Sequence, residues 1–230
     1  MKTSAASHIA TAAVTSGALM AAYLLLRPYG DVQGGHDEVD AMASTLWVVS
    51  HTFGMLALAS FTSLVLRLSD LHEGRIRLIG YWSAQAGLVL VLPYYGAETF
   101  ALHVIARRSA TEPGSMDLVE QIRNQPLAIT AFGLGLLLLA VSGICLAMMW
   151  RSVASRRVRW AAAPLGVLMA LLLPQFFLPP SGRMAYGLLF CAAAVGFAGI
   201  ASRGELVVTE EGTPPPPTHG MRSPLGAPER

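Results

Sequence analysis

The chain has 230 residues, 53% apolar and 13% charged, too few polar groups to cover the surface of a water-soluble domain of this length. The formal net charge is +2 and the basic residues flank apolar blocks instead of forming a run, so no footprint for nucleic acid is present. The solvent for most of this surface is lipid.

A helix crosses a bilayer with about 20 predominantly apolar residues. Six segments meet that length in chain order: 8 to 26, 42 to 66, 78 to 106, 126 to 150, 160 to 178 and 184 to 202. The expected fold is an all-α polytopic membrane bundle of six spans over residues 1 to 203. The first segment is read as a retained helix and not a leader, because Arg27-Pro28-Tyr29-Gly30 stands where small residues would mark cleavage. The last two segments are divided only by Pro179, Pro180, Ser181, Gly182 and Arg183, which predicts a tight antiparallel hairpin.

Orientation follows the basic residues of the connectors. With the N-terminus inside, Lys2, Arg67, Arg75, Arg77, Arg151, Arg156, Arg157, Arg159, Arg203, Arg222 and Arg230 are cytoplasmic, eleven against five outside (Arg27, Arg107, Arg108, Arg123, Arg183). Both termini are then expected inside. From residue 204 to 230 there is no apolar period but a run from Pro214 to Pro217, which predicts a disordered Pro-rich cytoplasmic tail. Lys2 is the only lysine in a chain rich in Ala, Gly, Leu and Arg, a composition suited to a GC-rich bacterial genome and so to a bacterial plasma (cell) membrane.

A weak internal echo pairs Phe53-Gly54 with Phe132-Gly133, and Leu92-Pro93-Tyr94-Tyr95 with Leu173-Pro174-Gln175-Phe176-Phe177. Read as a repeat, it implies a duplicated two-helix hairpin, as in parallel-repeat transporters; chance likeness between Leu- and Gly-rich helices is the competing reading.

Ionisable groups at membrane depth are costly and so mark function. His51 lies nine residues into the second span, roughly 13 Å deep, on a face shared with Ser44, Trp47, Met55 and Thr62. Glu98 falls near the outer boundary of the third span with Tyr94 and Tyr95 beneath it, and His103 continues the Tyr95 face. Pro93 is expected to kink that helix and open space beside the tyrosines. Arg27, Gln125, Thr130 and Gln175 share the outer half. The candidate ligand-binding set is therefore His51, Tyr94, Tyr95, Glu98, Arg27, His103 and Gln175, forming an outward cavity with His51 as floor and Arg27 with Glu98 as a gate pair. A plainer alternative is an aromatic belt of interfacial tyrosines, with an Arg27 to Glu98 ion pair stapling the helices.

No cofactor motif occurs. Haem would need His51 and His103 on opposite faces of one iron, yet their depths differ. A metal hydrolase would need His51, Glu98 and His103 to converge, although Glu98 and His103 are five residues apart, about 140° around a regular helix. Both enzyme readings remain alternatives with catalytic residues unassigned, beside a structural subunit that docks a membrane-protein partner through the small residues Ala192 to Ala194, Gly196, Ala198 and Gly199. The leading expectation is binding or passage of a small molecule or lipid.

The stretches Leu26-Arg27-Pro28-Tyr29-Gly30, Trp47-Val48-Val49-Ser50-His51 and Leu92 through His103 resemble a group of uncharacterised actinobacterial multi-pass membrane proteins, over roughly residues 20 to 150. The resemblance implies a membrane location and carries no residue role.

Overall fold

A computed structural model describes residues 2–32, 34–112 and 114–203; the expected tail, 204–230, lies outside them. The described residues form no β-strand, and the protein is an all-α bundle. Among the described residues five helices are long and apolar enough to cross a membrane: Ala5–Leu26, Thr45–Ser69, Arg75–Arg108, Pro126–Val153 and Pro180–Ala201.

The first of these is the body of α1 (Lys2–Leu26). The connector after it is more ordered than a loop, with a 3-10 turn (Gly30–Val32) and a short amphipathic helix α2 (Gly35–Ala43). Gly30 is required there, because a Cβ would collide with the Asp37 carbonyl where the turn folds onto α2. Ser44 separates α2 from α3 (Thr45–Ser69) and caps the latter, its hydroxyl accepting from the Trp47 N–H at 3.2 Å. The second span therefore starts three residues later than its apolar run, since α2 lies outside it.

The third span is one helical rod with a defect: α4 (Arg75–Gly96), a π turn (Ala97–Ala101) and α5 (Leu102–Arg108). Pro93 sits inside α4, but its steric clash acts toward the N-terminus, so the π turn one turn downstream is a separate irregularity. After α6 (Asp117–Arg123), α7 (Pro126–Val153) opens with Pro126 at its first position, and the Gln125 side chain accepts from the Ala128 N–H.

The expected fifth span, 160 to 178, is not a continuous helix. It comprises α8 (Ala163–Ala170), a turn, and a 3-10 turn (Pro174–Phe177). It nevertheless runs antiparallel to α7 from end to end. The Trp150 indole donates to the Val158 carbonyl at 2.9 Å, Gly143 packs on Gly166, and the Phe132 and Phe176 rings lie 5.8 Å apart. Pro174 has no N–H to continue the ladder, which accounts for the break. The tight hairpin turn is shorter than expected, because Pro180 takes the first position of α9 (Pro180–Ala201) and Ser181 to Arg183 are already helical.

Helix α1 packs between α3 and α9, and α4 packs on α7, with α3 joining the two halves. These crossings are close because small residues allow backbone approach, the usual means of association where lipid supplies no hydrophobic drive. Gly17 faces Cys191 and Ala194 across α1 and α9, and Gly87 faces Gly135 across α4 and α7. Gly196 and Gly199, by contrast, have open space where a Cβ would stand. The main core runs from Ile9 through Phe61 and Leu139 to Phe197. A second, smaller apolar cluster of Met42, Trp47, Leu102, Ala106 and Val119 binds α2, α5 and α6 into a cap over one end.

Candidate functional site

Under that cap lies a cavity of about 330 Å³. Arg27, His51, Tyr94, Tyr95 and Glu98 all line it. The bundle supplies them from the end of α1, the second turn of α3, the last turns of α4 and the π turn. Tyr23, Asp31, Arg123, Phe132, Phe176 and Arg183 complete most of the wall.

The floor is aromatic. His51 is 3% exposed, its ring 4.2 Å from Trp47 and 5.4 Å from Tyr23. Its Nδ1 lies 2.7 Å from the Trp47 carbonyl, which can only accept, so Nδ1 carries the hydrogen and a neutral ring keeps Nε2 as an acceptor. Tyr94 stacks on Phe132 at 4.4 Å, and Phe132 meets Phe176. The two Leu-Pro-aromatic segments of the internal echo thus meet across α7, through Phe132.

The rim is ionic, but its pairing differs from the expected gate. Arg27 pairs with Asp31 at 2.5 Å, not with Glu98, and lies 5.3 Å from the ring centres of both Tyr29 and Trp47. Both side chains of that pair are 8% exposed. Glu98 is instead held by Arg123 through two hydrogen bonds, Nε to Oε1 at 3.0 Å and Nη2 to Oε2 at 3.2 Å. Arg123 also reaches Glu38 at 3.4 Å and Asp31 at 3.7 Å, so it gathers carboxylates from the 3-10 turn, α2 and the π turn. Burial alone would lower the pKa of this guanidinium, but Glu98, Asp31 and Glu38 outweigh it and hold the pKa above the ordinary arginine value. Next to the rim, burial pushes the Tyr29 phenol up to about 12, against the opposing pull of Arg27, and its hydroxyl donates to the Leu24 carbonyl at 2.7 Å.

Two expected residues do not join the wall. In an unbroken α-helix His103 would follow Tyr95 and Thr99 along one face. The π turn takes one extra residue and displaces everything beyond it by about one position. His103 stands eight residues beyond Tyr95, roughly 12 Å farther along the rod and past the cavity, and donates from Nδ1 to the Met42 carbonyl at 2.8 Å. Gln175 is 1% exposed and neither side-chain polar atom has a partner among the described residues, but it does not line the cavity. Among the described residues no three His, Cys, Asp or Glu side chains are grouped to hold a metal ion.

Arg123 and Asp31 escaped the sequence reading because both lie in connectors, where charge is ordinary. Their signal was faint: an acidic first loop, and a lone arginine closing a short amphipathic segment before Pro126.

Two buried rim atoms have no hydrogen-bond partner among the described residues, Arg27 Nε and Asp31 Oδ1. Their desolvation is uncompensated, which suits a polar group arriving from the cavity. Fold and cavity together define the class: an all-α polytopic membrane protein with a charged-rimmed, aromatic-floored cavity at one end of the bundle. The chain matches no family model, no curated protein and no solved structure.

Proposed function

We propose that the protein is a cell-membrane protein of the kind it resembles among actinobacterial multi-pass proteins, with six crossings and both termini inside, and that it binds or passes a small molecule or lipid in an outward-facing cavity. The supporting observation is the cavity itself: about 330 Å³, within the range of ligand sites, with unpartnered donor and acceptor atoms of Arg27 and Asp31 on its rim. His51 Nε2 offers an acceptor at the floor, and the tyrosine and phenylalanine rings form apolar walls. The Arg123 to Glu98 pair replaces the expected Arg27 to Glu98 pair as the closure of the rim, since it ties α6 to the π turn.

The test is ligand-induced thermal stabilisation of the detergent-purified full chain against a panel of soluble metabolites and lipids, with His51→Ala as control. Stabilisation by one class that is lost in His51→Ala is expected. A Soret band or stoichiometric metal lost on the same substitution would overturn the reading in favour of a redox or metal enzyme.

A further inference from the structure

Three guanidinium groups line the cavity against two carboxylates. Arg27 and Arg123 are matched by Asp31 and Glu98. Arg183 has no carboxylate partner among the described residues. Its Nε and Nη2 donate to the Leu178 and Phe176 carbonyls at 2.9 and 2.5 Å, which fixes the group in place without neutralising it. Glu38 also pairs with Arg123, so the charges around the rim balance in number, but Arg183 is the guanidinium of the lining with no ion pair among the described residues, beside Arg27 Nε and Asp31 Oδ1, which lack a hydrogen-bond partner there.

Beside Arg183, whose Nη2 bonds the Phe176 carbonyl, the cavity wall opens to the outside of the bundle. A Cβ on Gly133 would meet nothing within 4 Å, although Gly133 lines the cavity. On either side Ile129 and Phe177 also line it while remaining 47% and 84% exposed. The gap lies where the chain breaks at Pro174: the 3-10 turn packs on α9 and meets α7 through Phe176 against Phe132, leaving Gly133 uncovered.

We infer that the ligand is a lipid-like amphiphile whose head group carries one negative charge and a hydrogen-bond donor, with its tail leaving sideways past Gly133 between α7 and the Pro174–Phe177 turn. This rests on the ligand-binding reading above and names the ligand class. Arg183 takes the charge, Arg27 Nε donates to the same oxygens, and Asp31 Oδ1 accepts the head-group hydroxyl. Tyr95, Phe132 and Phe176 contact the first part of the tail, and the remainder lies in the bilayer, so a cavity of this size does not have to enclose it.

Lysophosphatidylglycerol has this chemistry; lysophosphatidylcholine keeps the tail without net charge, and glycerophosphoglycerol, a singly charged phosphodiester, keeps the head without a tail. Binding of each to the full chain in neutral maltoside detergent is measured for the wild type, Arg183→Gln and Gly133→Leu. Lysophosphatidylglycerol is expected to bind at least about tenfold more tightly than either comparator. Arg183→Gln should erase the preference over lysophosphatidylcholine. Gly133→Leu, which leaves every polar group in place and suits a helix, should weaken the lysolipid at least about tenfold without lowering the melting temperature. Equal binding of the two lysolipids overturns the head-group assignment, and equal binding of glycerophosphoglycerol overturns the tail path. Unchanged binding in both variants overturns the inference as a whole. A panel compound that binds in a His51-dependent manner while no lysolipid does would overturn this inference and leave the ligand-binding reading standing, whereas no binding by any compound overturns both.

Discussion

The indole Nε1 of Trp47 donates to the backbone carbonyl of Glu98 at 2.7 Å, joining the start of α3 to the π turn that carries the cavity's rim carboxylate. The same indole lies against the His51 ring and the Arg27 guanidinium. Trp47→Phe keeps most of the apolar contact and removes the donor. It should cost about 1–3 kcal/mol, the range for a buried acceptor left unpaired. Thermal unfolding in detergent measures this, and a change below about 0.5 kcal/mol would mean the carbonyl finds another donor.

Arg123 and Glu98 should behave as a coupled pair. Each is less than a quarter exposed at its side chain, 24% and 18%. Removing either partner alone leaves a half-buried charge, so Arg123→Met should destabilise by about 2–4 kcal/mol. The double variant Arg123→Met/Glu98→Gln should recover at least half of that loss. Additive single losses would show that the pair is not energetically linked.

His51→Phe separates packing from chemistry. The ring contacts with Trp47 and Tyr23 survive, so the stability change should stay within about 1.5 kcal/mol. Ligand stabilisation should disappear, because Phe has no Nε2 acceptor. Retained ligand binding in a stable His51→Phe protein would remove His51 from recognition.

The glycines of the bundle divide into two groups. A Cβ on Gly166 would collide with the Gly143 carbonyl, so Gly166→Val should separate α8 from α7 and reduce folded yield severely, an overpacking loss of about 3 kcal/mol or more. Gly196→Ala meets open space and should be neutral or slightly stabilising. Size-exclusion profiles and melting temperatures of the two variants distinguish these outcomes.

Orientation is tested by labelling. In a Cys145→Ala/Cys191→Ala background, Glu112→Cys should react with a membrane-impermeant maleimide on intact cells. Glu73→Cys should react only after permeabilisation. The opposite pattern would place the cavity on the cytoplasmic side and reverse the basic-residue assignment.

Much of the cavity was readable because polarity in lipid is expensive. His51, Glu98 and Arg27 stand out as ionisable groups in or beside long apolar runs, and Tyr94 and Tyr95 lie one helical turn below Glu98. At 1.5 Å of rise per residue from the helix ends, all of them fall in the outer half of the bundle, with His51 deepest. Counting failed where the rise was irregular. The π turn at Ala97–Ala101 has no local sequence signature, and His103 beyond it bonds the Met42 carbonyl outside the cavity lining.

By itself the sequence determined that the protein is helical, that it is built for a membrane and where five of its six expected long helices run, because each follows from apolar run length and the need to satisfy backbone groups within one segment. Tertiary structure decided the pairing of charges. Arg27 has Asp31 four residues away in the chain, while Arg123 finds Glu98 and Glu38 across 25 and 85 residues. A pairing of that kind depends on how α2, α6 and the π turn fold over the end of the bundle. Spacing along one helix carries no information about it.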